Sequence, residues 1–190
     1  MVQHRMFAAG VHHLGAGDID YLSDTVKYAL LVNTATPDLA ADEYFNTHSG
    51  DEVANGNGYT TGGATLGSKT LTTVDDSSVS AWAQSTAYVV GDIVRPTSAD
   101  GHIYRCVVAG TSHSSEPSWV TTFGRETAES SGTVRWSQFG DSYLRFDAAN
   151  PSWSASTITA RYGVAYVAGN TPGTNDYLIA LLDFGQDEES

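Results

Sequence analysis

From residue 157 to 167 the chain reads Thr-Ile-Thr-Ala-Arg-Tyr-Gly-Val-Ala-Tyr-Val, and this β-branched and aromatic run sets the terms for the fold. Side chains of a strand return to the same face every second residue, so Ile158, Ala160, Tyr162, Val164 and Tyr166 can share one pleated surface. A strand of that kind needs partners on both edges and a layer over its apolar face. Further runs at residues 25–32, 143–146 and 177–184 supply strands, and Gly-rich turns separate them. Residues 59–66 and 69–74 read as a hairpin around Gly67-Ser68. Thr36-Pro37-Asp38 is the best helix start, with a cap, a proline at the first helical position and an early acid ahead of Leu39, Ala40, Ala41, Tyr44 and Phe45. Residues 185–190 carry no apolar anchor and are expected to fray or to lie on a partner. The expectation is an all-β chain: a discontinuous β-sandwich, jelly-roll-like, with one short helix and a small inserted β-module.

The insertion is signalled by a change of texture after Asp75-Asp76-Ser77-Ser78. Trp82, Tyr88, Tyr104, Trp119, Trp136 and Phe139 punctuate a stretch otherwise rich in Gly, Ser and Thr. A module of roughly 60 residues folds only marginally and needs such large rings for its core. The expected division places the inserted module at residues 79–141, and residues 1–78 with 142–190 in one discontinuous domain.

Charge limits the partners. The net charge is -13, and charged residues form 16% of the chain, below the usual level of about 25%. Between residues 82 and 140 four Arg stand against five carboxylates, leaving five Lys or Arg against 17 carboxylates elsewhere. Nucleic-acid binders present a basic face that releases counterions, so DNA and RNA are excluded as expected partners. The single cysteine, Cys106, allows no intrachain disulfide and reads as a buried strand residue. No apolar stretch is long enough for a signal peptide or a membrane span, so no membrane insertion is expected.

Motifs for chemistry are sparse. Adjacent His12-His13 would point to opposite faces of a strand, and no metal-ligand spacing accompanies the six histidines, which read as solvated or interface residues. The acidic pairs Asp75-Asp76 and Asp51-Glu52 and the run Asp187-Glu188-Glu189 fall in turns or the tail, where a solvated run explains them better than a glycosidase pair. Asp18 and Asp20 lack the EF-hand spacing. There is no nucleophile elbow and no phosphate-binding loop. The expectation is therefore no enzyme, no cofactor and no metal.

The segment AWAQSTAYVVGDIVRPTSADGHIYRCVVAGTSHSSEPSW resembles the chitin- and cellulose-binding modules of carbohydrate-binding families 5 and 12. The resemblance lies in Trp82, Tyr88, Gly91-Asp92, Val94, Gly101, Tyr104 and Pro117-Ser118-Trp119, closed by Gly132-Thr133-Val134-Arg135-Trp136. It implies a compact fold of short strands and aromatic rings offered to sugars, with Trp119, Tyr88 and Tyr104 as the candidates. Trp82, Tyr88 and Tyr104 have the apolar neighbours of core residues, whereas Trp119 follows Pro117 in a Ser-rich loop, where exposure would signify contact. Tyr104 is followed by Arg105-Cys106-Val107-Val108 rather than by a Trp pair, as in copies embedded in phage virion proteins.

The flanking halves resemble phage particle proteins encoded among capsid and tail genes. Lys27-Tyr28-Ala29-Leu30-Leu31, Asn55-Gly56-Asn57-Gly58-Tyr59-Thr60-Thr61-Gly62-Gly63, the stretch from Trp153 to Tyr162 and that from Leu178 to Gly185 carry the likeness. It implies a virion structural protein, a capsid decoration or head fibre, assembled in the host cytoplasm. The implied partners are major capsid or tail proteins, further copies of the chain in a homo-oligomer such as a trimer, and a host-surface or environmental glycan. The alternative is a polysaccharide-targeting accessory of a carbohydrate-degrading system.

Overall fold

The computed structural model describes residues 3–169 and 176–189. In chain order the elements are β1 (Gln3–Met6), α1 (Ala8–Ala16), β2 (Val26–Leu31), β3 (Ala64–Thr65), β4 (Thr70–Asp75), β5 (Ala87–Tyr88), β6 (Ile93–Val94), β7 (Ile103–Val108), β8 (Gly110–Thr111), β9 (Glu126–Ala128), β10 (Arg135–Gly140), β11 (Ser142–Asp147), β12 (Thr159–Val167) and β13 (Leu178–Glu189). The fold is all-β, built of antiparallel sheets with one α-helix among the described residues. The chain divides into two compact units, residues 1–70 with 147–190 and residues 71–146. The second is wider than residues 79–141 because the paired strands β4 and β11, by which the chain enters and leaves it, are included.

The first unit is a five-stranded sheet in the order β1-β13-β12-β2-β3, with an apolar core on each face, which makes it sandwich-like. Neighbouring residues of β2 point to opposite faces, so Ala29 and Leu31 enter one core and Leu30 the other. The first core gathers Phe7, Phe45, Val164, Tyr166, Leu178 and Leu181, and the second gathers Val53, Tyr59, Ile158 and Ala160. The five residues expected to share one face of β12 are therefore divided. A register shift between Ala160 and Tyr162 sends Ile158 and Ala160 to the second core, while Val164 and Tyr166, with Tyr162 packed beside them, serve the first. Between the pairs Tyr162–Asp183 and Ala160–Glu188, β12 advances two residues and β13 five, and this irregularity opposite Arg161 lets one strand supply both cores.

Three further expectations are corrected. The α-helix is α1, not the segment after Thr36. Asp38 Oδ1 accepts the N–H groups of Ala40 and Ala41 as a cap, and one turn closes from the Asp42 N–H to the Asp38 carbonyl. The Leu39 and Glu43 carbonyls accept the Ala8 and Leu178 N–H groups instead of extending it, and only a 3₁₀ turn, Phe45–His48, follows. α1 has no side-chain cap at Phe7, ends on Gly17 in the left-handed region (φ 84°), and lies against β13 at Gly10. A Cβ on Gly10 would come within 2.6 Å of the Leu178 carbonyl oxygen, so glycine sets the approach of helix to sheet. The Gly67-Ser68 hairpin does not form, since β3 pairs with β2 and β4 with β11. The acidic C-terminal stretch is ordered as strand, with Glu188 opposite Ala160 and Glu189 opposite Thr159.

The second unit contains a four-stranded sheet in the order β6-β7-β10-β9, the pair β5-β8 and the ribbon β4-β11. Its core is Trp82, Val94, Tyr104, Cys106, Val134 and Trp136, with Tyr88 and Trp119 packed against it. β7 and β10 place Cys106 opposite Trp136 and Tyr104 opposite Gln138, which turns the large rings to one side of the sheet.

Candidate functional site

The rings of the second unit are organised around Trp136, which is fully buried. Tyr88 meets it edge to face with centroids 4.8 Å apart, and Trp119 meets it at 5.8 Å. Trp119 also lies against Tyr104 at 4.3 Å. The sequence candidates Trp119, Tyr88 and Tyr104 are thus brought into one aromatic cluster. They differ in what they offer to solvent. Tyr104 is 0% exposed, so it is a core residue and has no free face for a sugar ring. Its hydroxyl donates to Asp100 Oδ2 (3.0 Å), and burial, with that carboxylate, raises the phenol well above its usual pKa. Tyr88 is half-buried, and its hydroxyl oxygen accepts the Ala83 N–H at 2.9 Å.

Trp119 is half-buried and held from its polar edge. Its indole N–H donates to Glu116 Oε1 (2.9 Å), and the same oxygen accepts the Thr97 N–H (2.7 Å). The next residue, Val120, donates its N–H to Thr127 Oγ1 (2.9 Å) and is itself exposed. Burial alone would raise the Glu116 pKa, but the Thr97 and Trp119 donors outweigh it and keep it below the usual carboxylate value. The Ser-rich loop therefore presents a fixed ring with a carboxylate at its edge. Fixing the ring beforehand reduces the ordering entropy that a ligand would otherwise have to offset.

Sequence reasoning missed the residue that anchors the cluster. Glu129 is buried; its Oε1 accepts the indole N–H groups of Trp82 and Trp136, each at 2.9 Å, and its Oε2 accepts the backbone N–H of His113. Three donors on two oxygens satisfy a carboxylate that burial would otherwise penalise. In the sequence Glu129 is one acid in a Ser-rich stretch, with nothing to mark it as buried.

The remaining candidate chemistry resolves into structure. Cys106 is buried, its thiol donates to the Val108 carbonyl (3.3 Å), and burial raises its pKa. Asp20 accepts the N–H groups of Leu22 and Ser23, and Asp75 accepts the Ser77 hydroxyl and the Ser78 N–H, so these acids shape turns. Glu52 Oε1 accepts the Tyr59 hydroxyl and the Gly62 N–H, both at 2.6 Å. Among the described residues no group of three or more His, Cys, Asp or Glu is gathered as a metal site.

Two histidines expected to be solvated or at an interface are buried instead. His48 Nε2 meets Asp42 Oδ2 at 2.8 Å. His13 lies between Asp18 (Nδ1, 2.8 Å) and Glu43 (Nε2, 3.0 Å), stacked on Tyr177 at 3.8 Å. Burial works against a charge on His13, but the hydrogen bonds and charges of Asp18 and Glu43 outweigh it and raise the pKa above 6.5. A folded-state pKa above the unfolded one stabilises fully below the unfolded value, and the gain is lost as pH rises through the folded value. Stability of the first unit is thus expected to fall as pH rises from about 6.5 through that higher value. His13→Gln should flatten this decline in thermal melts taken across the window, and an equally steep decline in the variant would refute the clamp.

No protein-family model, no curated protein and no solved structure matches the chain.

Proposed function

We propose that the chain is a non-enzymatic structural protein of a virus particle, a capsid decoration or head fibre, whose first unit docks on capsid or tail proteins and carries the second as an adhesive or spacer module. The observation that supports this reading is the insertion itself: residues 71–146 form their own compact unit between β3 and β12 of the other unit's sheet. A guest joined through hydrogen-bonded neighbours β4 and β11 can be carried without breaking the host strands. The host is strongly acidic, with 14 of the 22 carboxylates and four of the nine Lys or Arg residues, which suits a basic partner surface. Many copies on one particle would turn weak contacts of the guest into avidity.

The test is to replace residues 71–146 by a short Gly-Ser linker, which the pairing of β4 with β11 makes feasible. The shortened chain is expected to co-sediment with particles as the full chain does; loss of co-sedimentation in a folded shortened chain would refute the division of labour. Trp119, fixed by Glu116 at the surface of the guest, also favours the second reading, a polysaccharide-targeting accessory. Under an adhesive role Trp119→Ala should weaken retention of the full chain on insoluble chitin or cellulose about tenfold, the loss expected when one ring no longer stacks. Unchanged retention would leave the guest as a spacer. Retention on glycan without particle association would favour the accessory.

A further inference from the structure

The second face of the first unit's sheet carries a groove of about 270 Å³ that no part of the reading above uses. Leu30, Trp153, Ile158, Ala160 and Phe184 line it together with the end of β13, where Glu188, opposite Ala160, shares the groove's face and Glu189 alternates to the other. Small-molecule pockets commonly run from about 300 to 1,000 Å³, so this volume suits one long side chain better than a cofactor. The chemistry of the lining is specific. An apolar lining and an indole ring favour the stem and face of a cation, and the Glu188 carboxylate favours its charged end. Among the described residues neither Glu188 nor Glu189 has a cationic partner; Glu188 accepts only the Gln186 amide (3.3 Å), and Arg161 is engaged by Asp183.

The strand edge beside the groove adds a second element. β1 pairs with β13 from Ala180 to Asp183; β13 then bulges, its Gly185 N–H donating to Asp183 Oδ1 (2.8 Å). It resumes a ladder at Glu188 and Glu189, whose inner edge pairs with Ala160 and Thr159 of β12 and whose outer edge no described strand pairs with. An exposed edge of this kind accepts an extended segment through main-chain hydrogen bonds, and alternate side chains of that segment then fall on one face.

We infer that this groove binds a lysine or arginine side chain flanked by apolar residues, presented by an extended basic segment of a partner protein. The inference rests on the particle-docking reading only for the partner's location.

The test uses the purified full chain and a fluorescein-labelled hexapeptide of alternating lysine and leucine, followed by anisotropy at low salt. Hexapeptides of alternating lysine and serine and of alternating glutamate and leucine serve as comparators. The lysine–leucine peptide should bind, the lysine–serine peptide about tenfold more weakly, and the glutamate–leucine peptide not at all. The paired change Glu188→Gln with Glu189→Gln, both on exposed residues, should weaken binding about five- to tenfold and reduce its salt dependence. Trp153→Leu, which keeps apolar contact with Tyr59, should weaken it about tenfold. Equal binding of the two lysine peptides, or unchanged binding by the Glu188 and Glu189 double variant, would overturn the inference whether or not the Trp153 variant folds. Co-sedimentation with particles but no peptide binding would overturn the groove and leave the docking reading. Peptide binding without co-sedimentation would do the reverse.

Discussion

Glu129→Ala is expected to destabilise the second unit by about 3–6 kcal/mol, because it orphans two buried indole N–H groups at roughly 1–3 kcal/mol each and leaves a cavity beside them. A unit of this size holds only about 4–11 kcal/mol in all, so the variant should be largely or wholly unfolded there. The measurement is urea unfolding followed by tryptophan fluorescence, since Trp82, Trp119 and Trp136 all lie in this unit and two of them donate to Glu129. Glu129→Gln separates the causes. Its amide oxygen can still accept both indoles, but its NH₂ group meets the His113 N–H donor to donor, and the loss should be about 1–2 kcal/mol. If Glu129→Ala melts within 1 kcal/mol of the parent, the acid does not hold the aromatic cluster. A large loss would place Glu129 beneath Trp119 in the order of causes, because Trp119 rests on Trp136 and Tyr104.

What could be read from the sequence follows from how each signal is encoded. The strands at residues 26–31, 142–147, 159–167 and 178–184 were legible because β-branched and aromatic residues declare themselves locally. The aromatic-rich segment stood out for the same reason, and Trp119 could be singled out by its Pro and Ser neighbours. α1 was not legible: it has no capping side chain and no acid in its first turn, and contains Gly10 and Gly15. Its support is tertiary, from the Phe7 N–H to the Ile179 carbonyl, the Ala8 N–H to the Leu39 carbonyl, and the His13 contacts. The segment after Thr36 carried the better local helix signal and its cap forms, yet tertiary bonds from the Ala8 and Leu178 N–H groups take the Leu39 and Glu43 carbonyls that a helix would need. The bulge of β13 opposite Arg161 was equally hidden, since strict alternation along residues 157–167 reads as one strand with one face. Glu129 and the groove beside Trp153 arise from residues distant in sequence, so neither has a local signature.

In the first unit the largest loss is expected from Tyr59→Ala, at about 3–5 kcal/mol. Tyr59 is 2% exposed and combines two tasks. Its ring fills the second core beside Trp153, with centroids 5.8 Å apart. Its hydroxyl donates to Glu52 Oε1 (2.6 Å) and accepts the Leu30 N–H (3.1 Å), which satisfies a backbone donor of β2 beyond the reach of the two-residue strand β3. Burial, with Glu52 as the next cause, raises the phenol far above its usual pKa, so the hydroxyl keeps its proton and its direction of donation across the working pH range. Tyr59→Phe retains the ring and orphans the Leu30 N–H, so it should lose about 1–3 kcal/mol in chemical denaturation. The difference between the two variants measures the ring, and a Tyr59→Phe loss below the error of the melt would show that the hydroxyl does not terminate the strand edge. Because Trp153 leans on this ring and also walls the groove, Tyr59→Ala should abolish binding of the lysine–leucine peptide even at temperatures where the unit stays folded, whereas Tyr59→Phe should leave that binding intact.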